Sequence, residues 1–218
     1  MRAVIFDLDG TLIDSAPDIH AGVNRMLQEV GADTLDYPTV KGFIGNGVPK
    51  LIERVMAARD LPQTHADLVA IFLRHYNADP ATLTTLFPNV RSILDALRAE
   101  GAALGICTNK PEGPTRDILA AFGLTDHFTV VVGGDTLPVH KPDPTPLHHA
   151  VTALGRDVVL YVGDSEVDAA TAAATPYPFA LFTEGYRKAP LDSLHHHASF
   201  ADFADLPAIL DRLAPVPA

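Results

Sequence analysis

Asp7 and Asp9 close the short apolar run Ala3-Val4-Ile5-Phe6, and Gly10-Thr11 follows them directly. On an extended chain, residues i and i+2 point to the same side, so the two carboxylates converge beyond the end of a strand. Gly10 permits a turn there that a residue with a Cβ resists. Two ionised carboxylates this close repel one another, and a hard cation relieves the repulsion. Mg²⁺ suits the pair, because it takes oxygen ligands and commonly combines one or two carboxylates with water and a substrate phosphate. A solvated Asp-x-Asp-Gly turn is the plain alternative, since both residue types are ordinary in turns.

Other residues with chemical use stand after later apolar runs. Thr108-Asn109-Lys110 follows Ala103-Leu104-Gly105-Ile106-Cys107, and Thr108 and Asn109 offer a hydroxyl and an amide to phosphate oxygens. Helix capping is the competing role for that pair. Lys141, between His140 and Pro142 in a proline-rich loop, suits a point charge aimed at phosphate; a solvated lysine is its alternative. Asp164 follows Val158-Val159-Leu160-Tyr161-Val162-Gly163, where it could complete a metal site with the first strand end. Asp168 closes a Ser165-x-x-Asp168 capping-box pattern, and an orienting role at the site competes with capping. Gly45-Asn46-Gly47-Val48-Pro49-Lys50 reads as a loop entering a helix, with Asn46 or Gly47 at the cap and Pro49 in the first turn. A helix start binds anions, and Lys50 opposes the dipole there. A second substrate anion, such as a carboxylate, would explain Lys50; a surface lysine is the alternative.

The elements that must position these groups follow from periodicity. From Asp14 to about Pro80 the pattern is helical, with no convincing strand. Ile19, Val23, Met26, Leu27 and Val30 recur at helical spacing before Gly31. Further helices fit Val48 to Arg59 and His65 to Tyr76, and together they suggest a small bundle. After Pro88, helices near 89–100, 115–122, 144–154 and 167–174 alternate with strands over 103–107, 128–132, 158–162 and 179–182, and a last helix lies around 206–213. Alternation with near-continuous apolar strands means an α/β, doubly wound parallel sheet covered on both faces. Residues 1–13 and 85–218 then form one doubly wound domain, and 14–84 a helical bundle inserted after its first strand. In such sheets ligands bind beyond the carboxyl ends of the strands, which is where the candidates lie. Pro215-Val216-Pro217-Ala218 reads as a frayed tail.

Composition narrows the partners. With 218 residues, 47% hydrophobic and 20% charged, the chain fits an ordinary globular protein. Its net charge of −11 disfavours nucleic acid and anionic membrane as partners. An anionic substrate must therefore be bound by locally placed cations. Cys107 is the single cysteine, which agrees with a reducing compartment. The first strand begins almost at once, without signal-peptide character, so a cytoplasmic location is expected.

Taken jointly, Asp7-x-Asp9-Gly10-Thr11, Thr108-Asn109, Lys141-Pro142 and Gly163-Asp164-Ser165-x-x-Asp168 resemble the four motifs of the haloacid dehalogenase superfamily of phosphotransferases. The resemblance spans essentially the whole chain and implies a Rossmann-like core with an inserted helical cap. It implies Asp7 as nucleophile and Asp9 as general acid and base. Mg²⁺ would be held by the Asp7 side chain, the Asp9 main-chain carbonyl and Asp164, while Lys141 and Thr108 hold phosphate oxygens. Phe43-Ile44-Gly45-Asn46-Gly47, Thr108-Asn109-Lys110-Pro111, Lys141-Pro142-Asp143-Pro144-Thr145-Pro146 and Thr183-x-Gly185-Tyr186 are similar to the bacterial phosphoglycolate phosphatases. The implied activity is hydrolysis of a small phosphate monoester, 2-phosphoglycolate first. Pyrophosphatases, sugar-phosphate phosphatases and phosphoglucomutases of the superfamily would share every catalytic residue. A non-catalytic phosphate-binding protein is the reading from another class. Asn109, Gly45, Asn46, Gly47 and Lys50 are the expected substrate contacts. His195-His196-His197 is expected to be a solvated loop, and oligomeric state is left open.

Overall fold

The computed structural model describes residues 2–78, 81–156 and 158–214. Its centre is β1 (Arg2–Phe6), whose residues Ala3 to Phe6 are all fully buried. The chain leaves β1 through the two-residue strand β2 (Ile13–Asp14) and enters α1 (Ala16–Glu29), α2 (Tyr37–Lys41), α3 (Gly47–Arg59) and α4 (His65–Ala78). It returns through β3 (Thr85–Leu86), which pairs antiparallel with β2, so outgoing and returning connections run side by side. Asp18 of α1 fastens them: its carboxylate accepts from the Leu83 and Thr84 main chains and from the Thr84 hydroxyl at 2.6–3.1 Å.

Thereafter come α5 (Val90–Ala99), β4 (Ala103–Cys107), α6 (Glu112–Ala121), β5 (Val130–Val132), α7 (Thr145–Leu154), β6 (Val158–Gly163), α8 (Glu166–Ala173), β7 (Phe179–Phe182), β8 (Ala198–Phe200) and α9 (Leu206–Leu213). The larger sheet runs β5-β4-β1-β6-β7-β8, every neighbouring pair parallel. The period of two in each strand divides the core. Val4, Phe6, Leu104, Ile106, Leu160, Val162 and Phe182 pack on one face, under Leu94 and Leu97 of α5 and Leu206 and Leu210 of α9. Ala3, Ile5, Cys107, Tyr161, Phe179 and Leu181 pack on the other, under Leu147, Ala150 and Leu154 of α7 and Ala169 and Ala172 of α8. The helices α1, α3 and α4 close a separate core around Val23, Met26, Ile52, Val55, Leu68 and Phe72, into which Tyr186 also inserts.

Three local features differ from the sequence pattern. The strand expected over 128–132 begins at Val130, because a 3-10 turn over Thr125–His127 sets Phe128 down against Phe6, ring centroids 6.3 Å apart. The strand β8 is an addition, three residues being too few to show a period. Its approach gives one histidine of the triplet a structural part: His197 N donates to the Phe179 carbonyl, and its Nδ1 accepts from Phe179 N, seating the edge strand. The ribbon of β2 and β3 was likewise too short to read. The expected tail 215–218 lies outside the described residues. No helix among the described residues is long and apolar enough to cross a membrane.

Candidate active site

The end of β1 is locked into a tight loop. Asp7 N extends the pairing by donating to the Val162 carbonyl at 2.9 Å. The Leu8 carbonyl then accepts from Thr11, Leu12 and Ile13, and Leu8 and Leu12 are fully buried beneath. Gly10 has φ +89°, and a Cβ on it would come 2.5 Å from Asp164 Oδ2. The glycine is thus required both by the turn and by the carboxylate lying against it.

Three buried carboxylates, Asp7, Asp164 and Asp168, each present an oxygen within 4.8 Å of the others. Their commitments differ. Asp168 Oδ1 accepts from Lys141 Nζ at 2.6 Å and the Tyr161 hydroxyl at 2.5 Å, while Oδ2 accepts from Asp164 N, Ser165 N and Ser165 Oγ. Asp168 both completes the capping box of α8 and holds Lys141, so the two readings of it from sequence coexist. Asp164 accepts from the Thr11 hydroxyl at 2.8 Å and Tyr186 N at 2.6 Å. Asp7 Oδ1 is buried without a hydrogen bond, although Lys141 Nζ lies 3.0 Å away and aims its bonds at Asp168 and Tyr161.

The charges do not balance. Burial pushes the Asp7 carboxyl up to about 6; Lys141 counters this, and Asp168 adds to it. Asp164 is raised well above the usual carboxylate range by burial and by repulsion from Asp168 and Asp7. Burial also opposes ionisation of Asp168, but the Lys141 ammonium and its hydrogen bonds hold that carboxyl below the usual range. Lys141 resists the same burial through Asp168 and Asp7 and stays charged. One ammonium against three carboxylates leaves a deficit of positive charge around Asp7 Oδ1, which shares the Lys141 ammonium with Asp168. A hard divalent cation fits that deficit and that all-oxygen donor set.

The remaining strand ends converge on the same cavity, lined by Asp7, Asp9, Thr108, Asn109 and Lys110 from the sheet side. Thr108 extends β4 by donating its N–H to the Val132 carbonyl. Asn109 Nδ2 reaches the Lys141 carbonyl at 3.0 Å and the Gly45 carbonyl at 3.4 Å, bridging the two parts of the chain. Asp9 stands apart from the carboxylate cluster. Its Oδ1 accepts from Ser15 Oγ at 2.5 Å, and Lys110 Nζ lies 3.2 and 3.4 Å from its two oxygens.

On the helical side the cavity is closed by Ile19, Ile44, Gly45, Gly47, Val48, Leu51 and Tyr76. The structure does not bring Asn46 and Lys50 to this cavity; both line a neighbouring one. Asn46 Oδ1 accepts from Arg54, and Lys50 pairs with Glu53 at 2.6 Å. Helical phase is the reason. Val48 and Leu51, three apart, share the face toward Asp7, and Lys50 and Glu53 share another.

Sequence reasoning gave no role to Lys110, Tyr76, Ser15 or Tyr186. Lys110 Nζ donates to the Tyr76 hydroxyl at 2.6 Å. The Tyr186 hydroxyl accepts from Ser15 N and Ala16 N and donates to Asp14, pinning the start of α1 to the loop that also holds Asp164. Lys110 carried a faint signal, following Thr108-Asn109 directly. Tyr76 carried none beyond its place at the end of a helix, and it is also part of the buried core of the helical bundle.

Comparison with known proteins gives a consistent result. A family model described as haloacid dehalogenase-like hydrolase matches residues 4–182. A protein from Cereibacter sphaeroides named phosphoglycolate phosphatase is 55% identical over 216 residues, covering 98% of this chain and 99% of its own. One of the same name from Rhodospirillum rubrum is 43% identical, covering 100% and 97%. A crystal structure described as a predicted phosphoglycolate phosphatase from Haemophilus somnus superposes with a TM-score of 0.90 at 32% identity, over 95% of this chain and 96% of that one.

Proposed function

The chain belongs to the haloacid dehalogenase-like hydrolases, and from that premise we propose that it hydrolyses 2-phosphoglycolate to glycolate and phosphate through an aspartyl-phosphate on Asp7. The observation that carries this reading is Asp7 itself: it lines the cavity, its buried Oδ1 has no hydrogen bond, and the Lys141 ammonium lies 3.0 Å away. The choice of substrate is supported by relatives of that name at 55% identity over nearly full length.

In the reading, residues 1–13 and 85–218 form the catalytic unit and 14–84 the cap. Asp7 Oδ attacks phosphorus, the bond from phosphorus to the ester oxygen breaks, and Asp9 gives its proton to the departing alkoxide. Water then attacks phosphorus, Asp9 takes a proton from it, and the bond to Asp7 breaks. Ser15 and Lys110 hold the Asp9 carboxyl during both transfers. Lys141 and Thr108 bind phosphate oxygens, with Asn109 shaping the loop between them. Asp168 acts through Lys141, which it positions. Asp7, Asp164 and the Asp9 main-chain carbonyl would hold Mg²⁺, which would supply positive charge to offset that of the nucleophile and the phosphate. The apolar wall of Ile19, Ile44, Val48 and Leu51 keeps water from the reacting atoms. The proposed setting is the cytoplasm, with a small phosphorylated metabolite and neither nucleic acid nor membrane as partner.

Phosphate release over a panel of small monoesters, with Mg²⁺ and with a chelator, tests the reading. 2-Phosphoglycolate should give the highest kcat/KM, and the chelator should abolish it. Equal rates with and without Mg²⁺, or a preference for sugar phosphates or pyrophosphate, would contradict it.

A further inference from the structure

Lys110 is the one cation among the residues that line the Asp7 cavity. Its side chain is 5% exposed, and it spans the two halves of the wall, rising from the loop after β4 to a tyrosine on α4. An ammonium has three N–H groups. One goes to the Tyr76 hydroxyl at 2.6 Å, and the two Asp9 oxygens lie farther off, at 3.2 and 3.4 Å. The long contacts to Asp9 leave the ammonium able to turn an N–H to a ligand in the cavity. Tyr76 is in the complementary position: its oxygen accepts from Lys110, and its own O–H proton meets no acceptor among the described residues. Both residues line the cavity, so a loosely held ammonium and an O–H without an acceptor stand side by side in it.

Resting on the phosphatase reading above, we propose that Lys110 and Tyr76 are the specificity determinants of this site, a two-donor clamp for the substrate's carboxylate. The two oxygens of a carboxylate accept from two adjacent donors, and its charge complements the ammonium. The other cap side chains there, Ile19, Ile44, Val48 and Leu51, are apolar and cannot pair with an anion. Lys50, the other cation near the start of α3, pairs with Glu53 and faces the neighbouring cavity. The clamp also explains why a buried lysine bonds across from sheet to cap. Were it needed only to hold Asp9, the tyrosine hydroxyl would add nothing that the carboxylate does not already supply. A small acid bearing phosphate and carboxylate on one carbon then touches both walls at once, its phosphate on the sheet side and its carboxylate against core lysine and cap tyrosine.

The test compares 2-phosphoglycolate with ethyl phosphate, a monoester of similar length without the carboxylate, in the wild type, Tyr76→Phe and Lys110→Met. The readout is the ratio of the two kcat/KM values. A ratio discounts the general loss expected when Asp9 is deprived of Lys110, and it is measured on one preparation. The wild type should favour 2-phosphoglycolate. That preference should fall by roughly 10–100-fold in Lys110→Met and by roughly 3–10-fold in Tyr76→Phe, the spans for charged and neutral hydrogen bonds. Should Lys110→Met fail to fold, Tyr76→Phe alone decides. A wild-type preference that survives within about twofold in every folded variant overturns the clamp and leaves the substrate reading standing. A wild type with no preference for 2-phosphoglycolate over ethyl phosphate overturns the substrate reading, and the clamp with it.

Discussion

The sheet end and the helical wall face one another across a single cavity, and they are built on opposite principles. At the sheet end, charge is concentrated and nearly every polar atom is committed. Asp168 accepts five hydrogen bonds, Asp164 has partners on both oxygens, and Lys141 is gripped by Asp168, Tyr161 and Asp7. Asp7 Oδ1 has the Lys141 ammonium beside it but no hydrogen bond of its own. The helical wall is apolar apart from the hydroxyl of Tyr76 and main-chain atoms at Gly45 and Gly47. A preorganised ionic floor supplies the chemistry, because its dipoles need no rearrangement when charge develops. An apolar wall supplies selection, excluding water and accepting only what it can pair.

The contrast can be pressed from its largest consequence to its smallest. Asp9 belongs to the floor by position and to the wall by its lysine, through Lys110 and Tyr76. Asp9→Asn should lower kcat by roughly 10²–10⁴, the span for general acid–base catalysis. An aryl phosphate, with a good leaving group, should lose less than an alkyl phosphate in single-turnover phosphorylation. Equal losses for both esters would remove Asp9 as the leaving-group acid.

Next is the cost of crowding carboxylates. The folded Asp7 pKa is raised from 3.8 to about 6, chiefly by burial. Its contribution favours the folded state below the unfolded value and is lost as pH rises through about 6. In chelator-treated protein, Asp7→Asn should therefore be more stable than wild type at neutral pH. The gain should be on the order of 2–3 kcal/mol, at about 1.4 kcal/mol per pKa unit, and most of it should be gone near pH 4. Urea unfolding of both proteins at the two pH values reads this out. A variant less stable than wild type at neutral pH would show that Asp7 is not under electrostatic strain.

At the small end is Lys50. With its ammonium on Glu53 and its face turned from Asp7, Lys50→Ala should change kcat/KM for 2-phosphoglycolate by no more than about twofold. A tenfold loss would return the carboxylate to the start of α3.

The same division decided what could be read from sequence. Much of the floor was legible because Asp7, Thr108 and Asp164 each follow an apolar strand directly, and Lys141 stands in the loop after another. The parallel, two-faced sheet followed from the alternation of apolar strands and helices. The wall was not legible, because its members come from separate helices and a loop. Val48 and Leu51 read as core residues of a bundle, which they also are, and nothing local says that Tyr76 meets Lys110 across the cavity. Lys50 looked functional because it opposes a helix dipole, and an i,i+3 partner, Glu53, accounts for it instead. The β2–β3 ribbon and β8 were missed for their length alone, since two or three residues carry no period.

The account stands on Asp7 as the atom that takes the phosphoryl group. Wild type mixed with excess 2-phosphoglycolate and Mg²⁺, quenched in acid within a turnover and digested, should yield one phosphorylated peptide. That peptide should contain Asp7, and the label should be absent from Asp7→Asn, which should also release no phosphate. A phosphoryl group on any other residue, or turnover retained by Asp7→Asn, would contradict the account.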